Sequence, residues 1–161
     1  MNYTFQLTGE WYGGRNGEGR IQTNGLNQDI SIGAEMDGPG NGTNPDELLV
    51  SAVSSCYLMT LGIGLDAIEY PYKSIKLKSK GIVSSDPSLH FKEIVHFPTI
   101  ILDSEADDDL REKAITAARK AEQNCMIAKA LRGNVSISVE PSVEADKENS
   151  PIGEPLAKTE A

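Results

Sequence analysis

Two cysteines, Cys56 and Cys125, are the residues of this sequence whose chemistry reaches furthest beyond packing. They are widely separated and neither belongs to a Cys-x-x-Cys motif, so a thioredoxin-type pair and a zinc knuckle are both disfavoured. Free cysteines often act simply as small buried hydrophobic residues, which is the alternative for each. His90 and His96 are interpreted as strand residues rather than ligands. Composition and spacing alone therefore indicate an α+β domain with two thiols.

A nucleophilic cysteine must be a thiolate, and its charge must be stabilised because a free thiol has a pKa of about 8.5. Cys56 is expected to lie roughly 16 Å along a helix from its start at Pro45, beyond the reach of that helix's dipole. A cation from elsewhere is therefore required. Cys125 follows Asn124 at the start of a predicted short helix, where the pKa of a thiol is depressed. On this reasoning either cysteine could be the attacking thiol.

Alternating polar and apolar residues predict strands in the first part of the chain. Residues Tyr3 to Thr8 alternate with period two, and Trp11 can extend that strand. Two further strands, Ile21 to Thr23 and Gln28 to Ile32, flank the turn dipeptide Asn24-Gly25 and predict a hairpin.

A long uncharged helix is predicted to follow. Asn44 can cap its free N–H groups, Pro45 suits its first position, and Asp46 complements its dipole. Residues 48–65 carry no charge, but serines and glycines dilute them below the pattern of a membrane span. A helix that is apolar on nearly every face must be buried on nearly every face, and one small sheet cannot cover it. We therefore expect a second copy of the chain to complete the cover.

The remaining pattern predicts strands over residues 75–80, 91–100 and 135–139, and helices over residues 104–124 and 126–131. Pro98 places its strand near a sheet edge or a bulge. The second helix is expected to open with Ser104 and a run of acids. Its apolar face is formed by Leu110, Ala114, Ala117, Ala118 and Ala121.

One domain is predicted over residues 1–141, and an acidic, disordered tail over residues 142–161, which follow no apolar period. The chain has 15 basic and 24 acidic residues, a formal net charge of −9. This charge disfavours binding to nucleic acid or to anionic membranes and favours small-molecule partners. The residues after Met1 lack the basic and apolar segments of a secretory signal, so we expect a cytoplasmic protein.

Four short stretches, in this order, resemble the family of organic hydroperoxide resistance and osmotically inducible C proteins. They are Gly13 to Gly17, Gly42 to Leu49 running on to Cys56-Tyr57-Leu58, Asn124-Cys125, and Arg132 to Val135. Their order and rough spacing agree over residues 1–140. The sequence departs from the family at Met126, where proline usually follows the second cysteine.

The resemblance implies an α+β fold in which antiparallel sheets pack around two long central helices of an intertwined homodimer, with the active site at the subunit interface. It implies a thiol peroxidase that uses no metal or other cofactor and reduces organic hydroperoxides to alcohols. Cys56 would attack the peroxide and become a sulfenic acid, and Cys125 would resolve it as a disulfide. An external dithiol, which the resemblance suggests is of the lipoyl type, would then reduce that disulfide.

The resemblance assigns the required cation to Arg15, whose guanidinium can hold the thiolate and a peroxide oxygen. A solvated loop arginine is the alternative, and Arg20 is a less favoured substitute. Asp46, where the family usually has glutamate, would orient Arg15. Asp46 and Cys56 are about 15 Å apart along one helix, so antiparallel central helices would bring Asp46 of one subunit near Cys56 of the other. Glu47 is expected only to compensate the helix start.

An apolar pocket around the first thiol would favour alkyl, aryl or fatty-acid hydroperoxides over hydrogen peroxide, although core packing is the alternative role of its residues. Two other functions remain open from the sequence. One is a non-catalytic dimer that binds an apolar ligand at its interface. The other is a redox sensor whose acidic tail contacts a partner. The residues assigned to the pocket are Leu48, Leu49, Val53 and Met59.

Overall fold

A computed structural model describes residues 1–102 and 107–146 of the chain. Within them the chain forms two compact units, residues 1–49 and residues 50–146. The boundary between the units falls inside the continuous helix α1, Pro45–Asp66, and not in a linker. The mixture of sheets and helices confirms the predicted α+β class.

The first unit contains a three-stranded antiparallel sheet in the order β1-β2-β3. Its strands are β1 (Thr8–Tyr12), β2 (Glu18–Gln22) and β3 (Asn27–Ser31). The β2–β3 hairpin is the one predicted from Asn24-Gly25. A short 3₁₀ helix, Ala34–Met36, follows β3.

The first strand begins later than the alternating residues predict. Pairing starts at Thr8, opposite Gln22, and the chain turns directly after Gln22. The residues before Thr8 therefore have no strand partner in the described chain, and Tyr3 and Phe5 are exposed. Alternation reports which side chains share a face, but a strand also needs a neighbouring strand to pair with.

Helix α1 begins as predicted, because the Asn44 Oδ1 accepts a hydrogen bond of 2.8 Å from the Glu47 N–H. The helix is long and apolar enough to cross a membrane by length and composition. In the second unit it packs as a core helix through one face, formed by Val53, Tyr57, Leu61 and Leu65.

Helix α1 is buried on one face only in the single chain, as expected if one small sheet cannot cover it, and its cover by a second copy stays a prediction. The side chains of Met59 and Ile63 are 68% and 70% exposed. The four buried residues repeat at every fourth position, which is the spacing of one helix face. The opposite face lies open and carries Met59 and Ile63 together with Ser51 and Ser55.

The second unit contains a four-stranded sheet built around β5. Strand β4 pairs antiparallel with β5, whereas β6 and β7 both pair parallel to it. This sheet is therefore mixed and not wholly antiparallel as predicted. The parallel pairs follow from the helices α2 and α3 that return the chain before β6, since parallel strands need a crossover connection. The elements are β4 (Ser74–Ser84), β5 (His90–Leu102), α2 (Asp108–Asn124), α3 (Met126–Leu131), β6 (Ser136–Val139) and β7 (Ser142–Ala145).

Pro98 lies in the central strand of this sheet and not at an edge or bulge. Strand β6 pairs with β5 as far as His96, and β7 pairs with it from Thr99 onward. Pro98 falls in the gap between these two partners, while its other side faces Leu77 of β4. A central strand accepts this proline because the break between β6 and β7 leaves no ladder at that position.

The predicted start of the tail, at residue 142, is too early in the sequence. Ser142–Ala145 form β7, and Val143 is buried against the second unit's core. Val143 and Ala145 alternate with Ser142 and Glu144, which is the period of a short strand, although the residues after them carry no apolar period. The rest of the predicted tail, residues 147–161, lies outside the described residues, as do Ser104 and its neighbours at the predicted opening of α2. The described part of α2 starts with Asp107, whose carboxylate accepts from the Leu110 N–H at 2.8 Å.

His96 is a buried polar residue at the centre of the second sheet, with a side chain 1% exposed. Its ring stacks on Tyr57 with the centroids 4.8 Å apart, and its Nδ1 lies 2.8 Å from the Ser79 hydroxyl. Burial lowers the pKa of His96 from 6.5 to about 4. The folded protein therefore keeps this imidazole neutral under conditions in which the unfolded chain protonates it.

We predict that His96 makes the folded state less stable as the pH falls from 6.5 towards 4. In that range the unfolded state binds the proton and the folded state does not, so up to about 3 kcal/mol of unfolding free energy is lost. Above pH 6.5 this contribution is fully present. Urea denaturation at several pH values measures it, with His96→Phe as the control because phenylalanine retains a ring for stacking. Equal pH slopes for the two proteins would contradict the prediction.

Candidate active site

The second unit brings the two cysteines together although they are far apart in sequence. Cys125 is 1% exposed and lies in an apolar cluster with Val53, Ile94 and Ala128. We call this group the thiol cluster. Cys56 is half-buried and packs against its margin from α1. Both residues are free thiols.

Cys125 is held in place by the helices that meet at it. It ends α2, where its N–H donates to the Ala121 carbonyl at 2.9 Å, and it caps α3. Its sulfur accepts from the Ala128 N–H at 3.4 Å, and its carbonyl accepts from the Lys129 N–H at 3.0 Å. Two helix ends therefore fix the position of this thiol.

The Cys56 thiol is activated by hydrogen bonds that stabilise its anion. Desolvation raises its pKa, but this effect is outweighed by hydrogen bonds from the Cys125 thiol, from the backbone N–H groups of Ile127 and Met126, and from the Thr60 side chain. The net pKa of Cys56 is lowered. Hydrogen bonds to the charged form of a group favour that form, which is why the thiolate is accessible here.

The Cys125 thiol has the opposite character. Burial raises its pKa, and the neighbouring Cys56 raises it further, while the N–H groups of Ala128 and Ile127 only partly compensate. The expectation that Cys125 has a depressed pKa at its helix start is therefore wrong. The half-exposed Cys56 is the thiol that ionises first, and the buried Cys125 is its hydrogen-bond donor.

The backbone N–H groups of Met126 and Ile127 are functional groups that the sequence pattern does not assign to Cys56. From the sequence, only the start of α1 is a candidate helix end for this thiol. The first N–H groups of a helix have no partner within that helix, so those of α3 are free to serve another acceptor. The predicted start of a helix after Asn124 indicates that free N–H groups lie there, but only the fold shows which sulfur lies beside them.

Arg15 lies in the first unit, in the loop between β1 and β2, and its side chain is exposed. Its guanidinium donates to the carbonyl of Met36 at the end of the 3₁₀ helix. The loop shape depends on Gly17, because a Cβ there would lie 2.4 Å from the Tyr12 carbonyl oxygen. Arg20, the alternative cation, is bound to Asp29 at 2.7 Å on the neighbouring strand.

The two acidic residues at the start of α1 have different surroundings. Glu47 accepts from the Thr43 hydroxyl at 2.7 Å, and its own N–H donates to Asn44. Glu47 thus belongs to the helix start. Asp46 is half-buried in the first turn, and any role toward Arg15 stays a prediction.

The residues predicted to form an apolar pocket have separate environments. Val53 belongs to the thiol cluster, and its carbonyl oxygen lies 4.0 Å from the Cys125 sulfur. Met59 points away from the core and is exposed. Leu48 and Leu49 are half-buried near the start of α1. Within residues 1–102 and 107–146, no group of three His, Cys, Asp or Glu side chains could hold a metal ion.

The chain belongs to the OsmC-like protein family, whose sequence model matches residues 38–140. This confirms the family that the short sequence stretches predict. Arg15 lies outside the matched residues.

Similar sequences include the uncharacterized protein YmaD of Bacillus subtilis (strain 168). It is 38% identical over 144 residues, which cover 89% of this chain and 96% of that protein. An organic hydroperoxide resistance protein of Xanthomonas axonopodis pv. citri (strain 306) is 28% identical over 130 residues, 79% of this chain and 87% of that protein.

Similar solved structures include an organic hydroperoxide resistance protein OsmC of Legionella pneumophila. It matches with a TM-score of 0.71 at 22% identity, over 88% of this chain and 100% of that one. The organic hydroperoxide resistance protein OhrB of Bacillus subtilis matches with a TM-score of 0.60 at 25% identity, over 87% of this chain and 98% of that one. These matches confirm the predicted OsmC-like fold for the single chain, whereas the homodimer stays a prediction.

We predict that Met126→Pro raises the pKa of Cys56, because proline has no N–H to donate to its sulfur. Met126 is exposed, it is the first residue of α3, and Cys125 before it has the extended ψ of 121° that proline requires, so the variant should fold. Loss of one hydrogen bond of about 1 kcal/mol corresponds to roughly fivefold slower alkylation of Cys56 at neutral pH. The pH profile of iodoacetamide labelling, read by peptide mass spectrometry, measures it.

The matched control for this variant is Met126→Ala, which removes the same side chain and keeps the N–H. Alkylation of Cys56 in the alanine variant should follow the unmodified protein. Equal slowing in both variants would show that the Met126 side chain, and not its backbone donor, governs the thiol.

Proposed function

We propose that this protein is a cysteine-based thiol peroxidase that reduces organic hydroperoxides to alcohols in defence against peroxide stress. The observation that carries the proposal is the contact between Cys56, whose pKa is lowered, and Cys125, whose pKa is raised. Such a pair supplies one thiolate ready to attack and one protonated thiol beside it. Membership of the OsmC-like family and relatives named for organic hydroperoxide resistance support the same activity.

In the first step the Cys56 thiolate attacks the terminal oxygen of the hydroperoxide. A sulfur–oxygen bond forms, the oxygen–oxygen bond breaks, and the leaving alkoxide takes up a proton to become the alcohol. The sulfur is oxidised to a sulfenic acid and the peroxide is reduced. The Met126 and Ile127 N–H groups favour the thiolate before attack.

In the second step Cys125 resolves the sulfenic acid. Its sulfur bonds to the Cys56 sulfur, and the sulfenic oxygen leaves as water after taking up the Cys125 proton. The thiol cluster keeps Cys125 buried beside Cys56, so the disulfide can form within one chain. An external dithiol, for which we propose a lipoyl-type compound, then reduces the disulfide by thiol–disulfide exchange. The cycle uses no metal or organic cofactor.

The active form is proposed to be a homodimer in the cytoplasm. The open apolar face of α1 with Met59 and Ile63 is surface that water solvates poorly, and Tyr3 and Phe5 add more in the first unit. A second copy is a natural cover for such surfaces. In that assembly, Asp46 of one subunit is proposed to orient Arg15 near Cys56 of the other.

Arg15 is proposed to stabilise both the thiolate and the departing alkoxide. Its guanidinium presents several N–H donors in a fixed plane, and a charged donor stabilises developing negative charge more strongly than a neutral one. Its exposed position on a glycine-dependent loop leaves those donors accessible to a substrate.

We predict that the protein turns over cumene hydroperoxide with dihydrolipoamide as the reductant, and that Cys56→Ser abolishes this activity. Arg15→Ala should slow the reaction with peroxide by at least about tenfold, since it removes a charge-assisted hydrogen bond in the transition state. Stopped-flow measurement of peroxide consumption with the reduced protein isolates this step from reduction of the disulfide.

Arg20→Ala is the matched control, because Arg20 is an exposed arginine of the same sheet that is already paired with Asp29. Its rate should equal that of the unmodified protein. Thiols that persist in the presence of peroxide, with no effect of Arg15→Ala, would instead support a non-catalytic dimer that binds an apolar ligand.

A further inference from the structure

A chain of three hydrogen-bonded side chains runs through the interior of the second unit. The Ser54 hydroxyl donates to the Ser79 oxygen at 2.9 Å, and the Ser79 hydroxyl lies 2.8 Å from the His96 Nδ1. A hydroxyl oxygen can accept two hydrogen bonds, so the hydrogen between Ser79 and His96 belongs to either partner according to the tautomer of the ring.

The His96 Nε2, at the end of these hydrogen-bonded side chains, is in an unfavourable environment. It is buried and has no hydrogen-bond partner among the described residues. A buried donor or acceptor without a partner destabilises a fold, whereas apolar side chains of the same shape would be close to neutral at these positions. Stability alone therefore does not account for a histidine and two serines in this part of the core.

The hydrogen-bonded side chains contact α1 on both sides of Cys56. Ser54 precedes Cys56 by two residues, and Tyr57, which follows it directly, stacks on the His96 ring. The Tyr57 hydroxyl also donates to the Ala118 carbonyl of α2 at 3.1 Å. One imidazole in β5 thus contacts, directly or through Ser79, the two residues that bracket the thiol.

The rotation of α1 about its axis links these contacts to the thiol. At about 100° per residue, Ser54 and Cys56 point to opposite flanks of the helix. Ser54 faces β4 through Ser79, and Cys56 faces the start of α3. Fixing one flank against the sheet therefore sets the direction of the other flank.

We propose that Ser54, Ser79 and His96 form a positioning chain that holds α1 in the rotation at which the Cys56 sulfur meets the Met126 and Ile127 N–H groups. The proposal rests on the proposed role of Cys56 as the attacking thiol. Ser79 and His96 are positioning residues in this account, since they act on the sulfur through α1. Hydrogen bonds weaken steeply with distance and angle, so a small rotation of the helix is enough to change the thiolate's stabilisation.

The test compares Ser79→Ala with Ser79→Thr. Alanine breaks the chain, whereas threonine keeps the hydroxyl and should restore it. The alkylation rate of Cys56 by iodoacetamide is measured against pH, with the modified peptide identified by mass spectrometry. We expect Ser79→Ala to slow alkylation at neutral pH by about threefold or more through a smaller thiolate fraction, and Ser79→Thr to return it to the original value.

Tyr70→Phe is the control for a loss of stability alone. It removes another hydrogen bond in the same unit, from the Tyr70 hydroxyl to the Leu110 carbonyl at 2.9 Å, away from the cysteines. It should lower the unfolding free energy and leave the pH profile of Cys56 alkylation unchanged. If Ser79→Ala also leaves that profile unchanged, the positioning role is overturned and the chain is purely structural.

If Ser79→Ala does not fold, Ser54→Ala replaces it in the test. This variant should fold because Ser54 is only half-buried and alanine favours a helix. It should slow alkylation in the same direction, and an unchanged profile would overturn the proposal. The readout needs no peroxide, so it separates the two proposals. A shifted profile in a protein that fails to reduce hydroperoxides would refute the peroxidase function and keep the positioning chain.

Discussion

The Cys56 sulfur can carry negative charge in a half-buried position only where hydrogen-bond donors meet it, and in this fold the Cys125 thiol and the first N–H groups of α3 supply them. The packing of the helices in the second unit brings the Cys56 sulfur and these donors together. Helix α1 presents Cys56 from one side, and the junction of α2 and α3 presents Cys125 from the other. The buried His96 of the mixed sheet stacks on Tyr57 of α1, and the Tyr57 hydroxyl donates to the Ala118 carbonyl of α2.

The same constraint explains why the two thiols differ. A pair of equivalent cysteines would share the proton, but burial of Cys125 and its place as the donor make it the thiol that retains the hydrogen. The asymmetry is set by position, because both residues have the same intrinsic chemistry. A peroxidase cycle requires this asymmetry, since attack needs a thiolate and resolution needs a second sulfur that has not already reacted.

Local sequence signals predicted most of the fold. Asn44 and Pro45 mark the start of α1, and Asn24-Gly25 marks the β2–β3 turn, because capping and turn conformations depend on the residues themselves. The parallel pairing of β6 and the existence of β7 depend on what lies beside β5, which the local pattern does not encode. For the same reason the alternation before Thr8 predicted a strand with one buried face, whereas pairing starts only at Thr8 and Tyr3 and Phe5 are exposed.

The sequence predicted the residue types of the candidate site better than the pKa shifts of its two thiols. Cys56 and Cys125 were identified from short stretches and their order, yet the effect of the helix start at Met126 was assigned to the wrong thiol. Only tertiary packing decides which sulfur those N–H groups reach. Arg15 and Asp46 rest on the family resemblance, and their place beside a thiol stays a proposal.

The central claim is that Cys56 and Cys125 form one redox pair. The most direct test mixes fully reduced protein with a slight excess of cumene hydroperoxide and follows free thiols and intact mass over seconds to minutes. The account predicts loss of both thiols within seconds, a mass lower by two hydrogens, and a peptide linking Cys56 to Cys125 of the same chain. Persistent thiols, or a disulfide that crosslinks two chains, would contradict it.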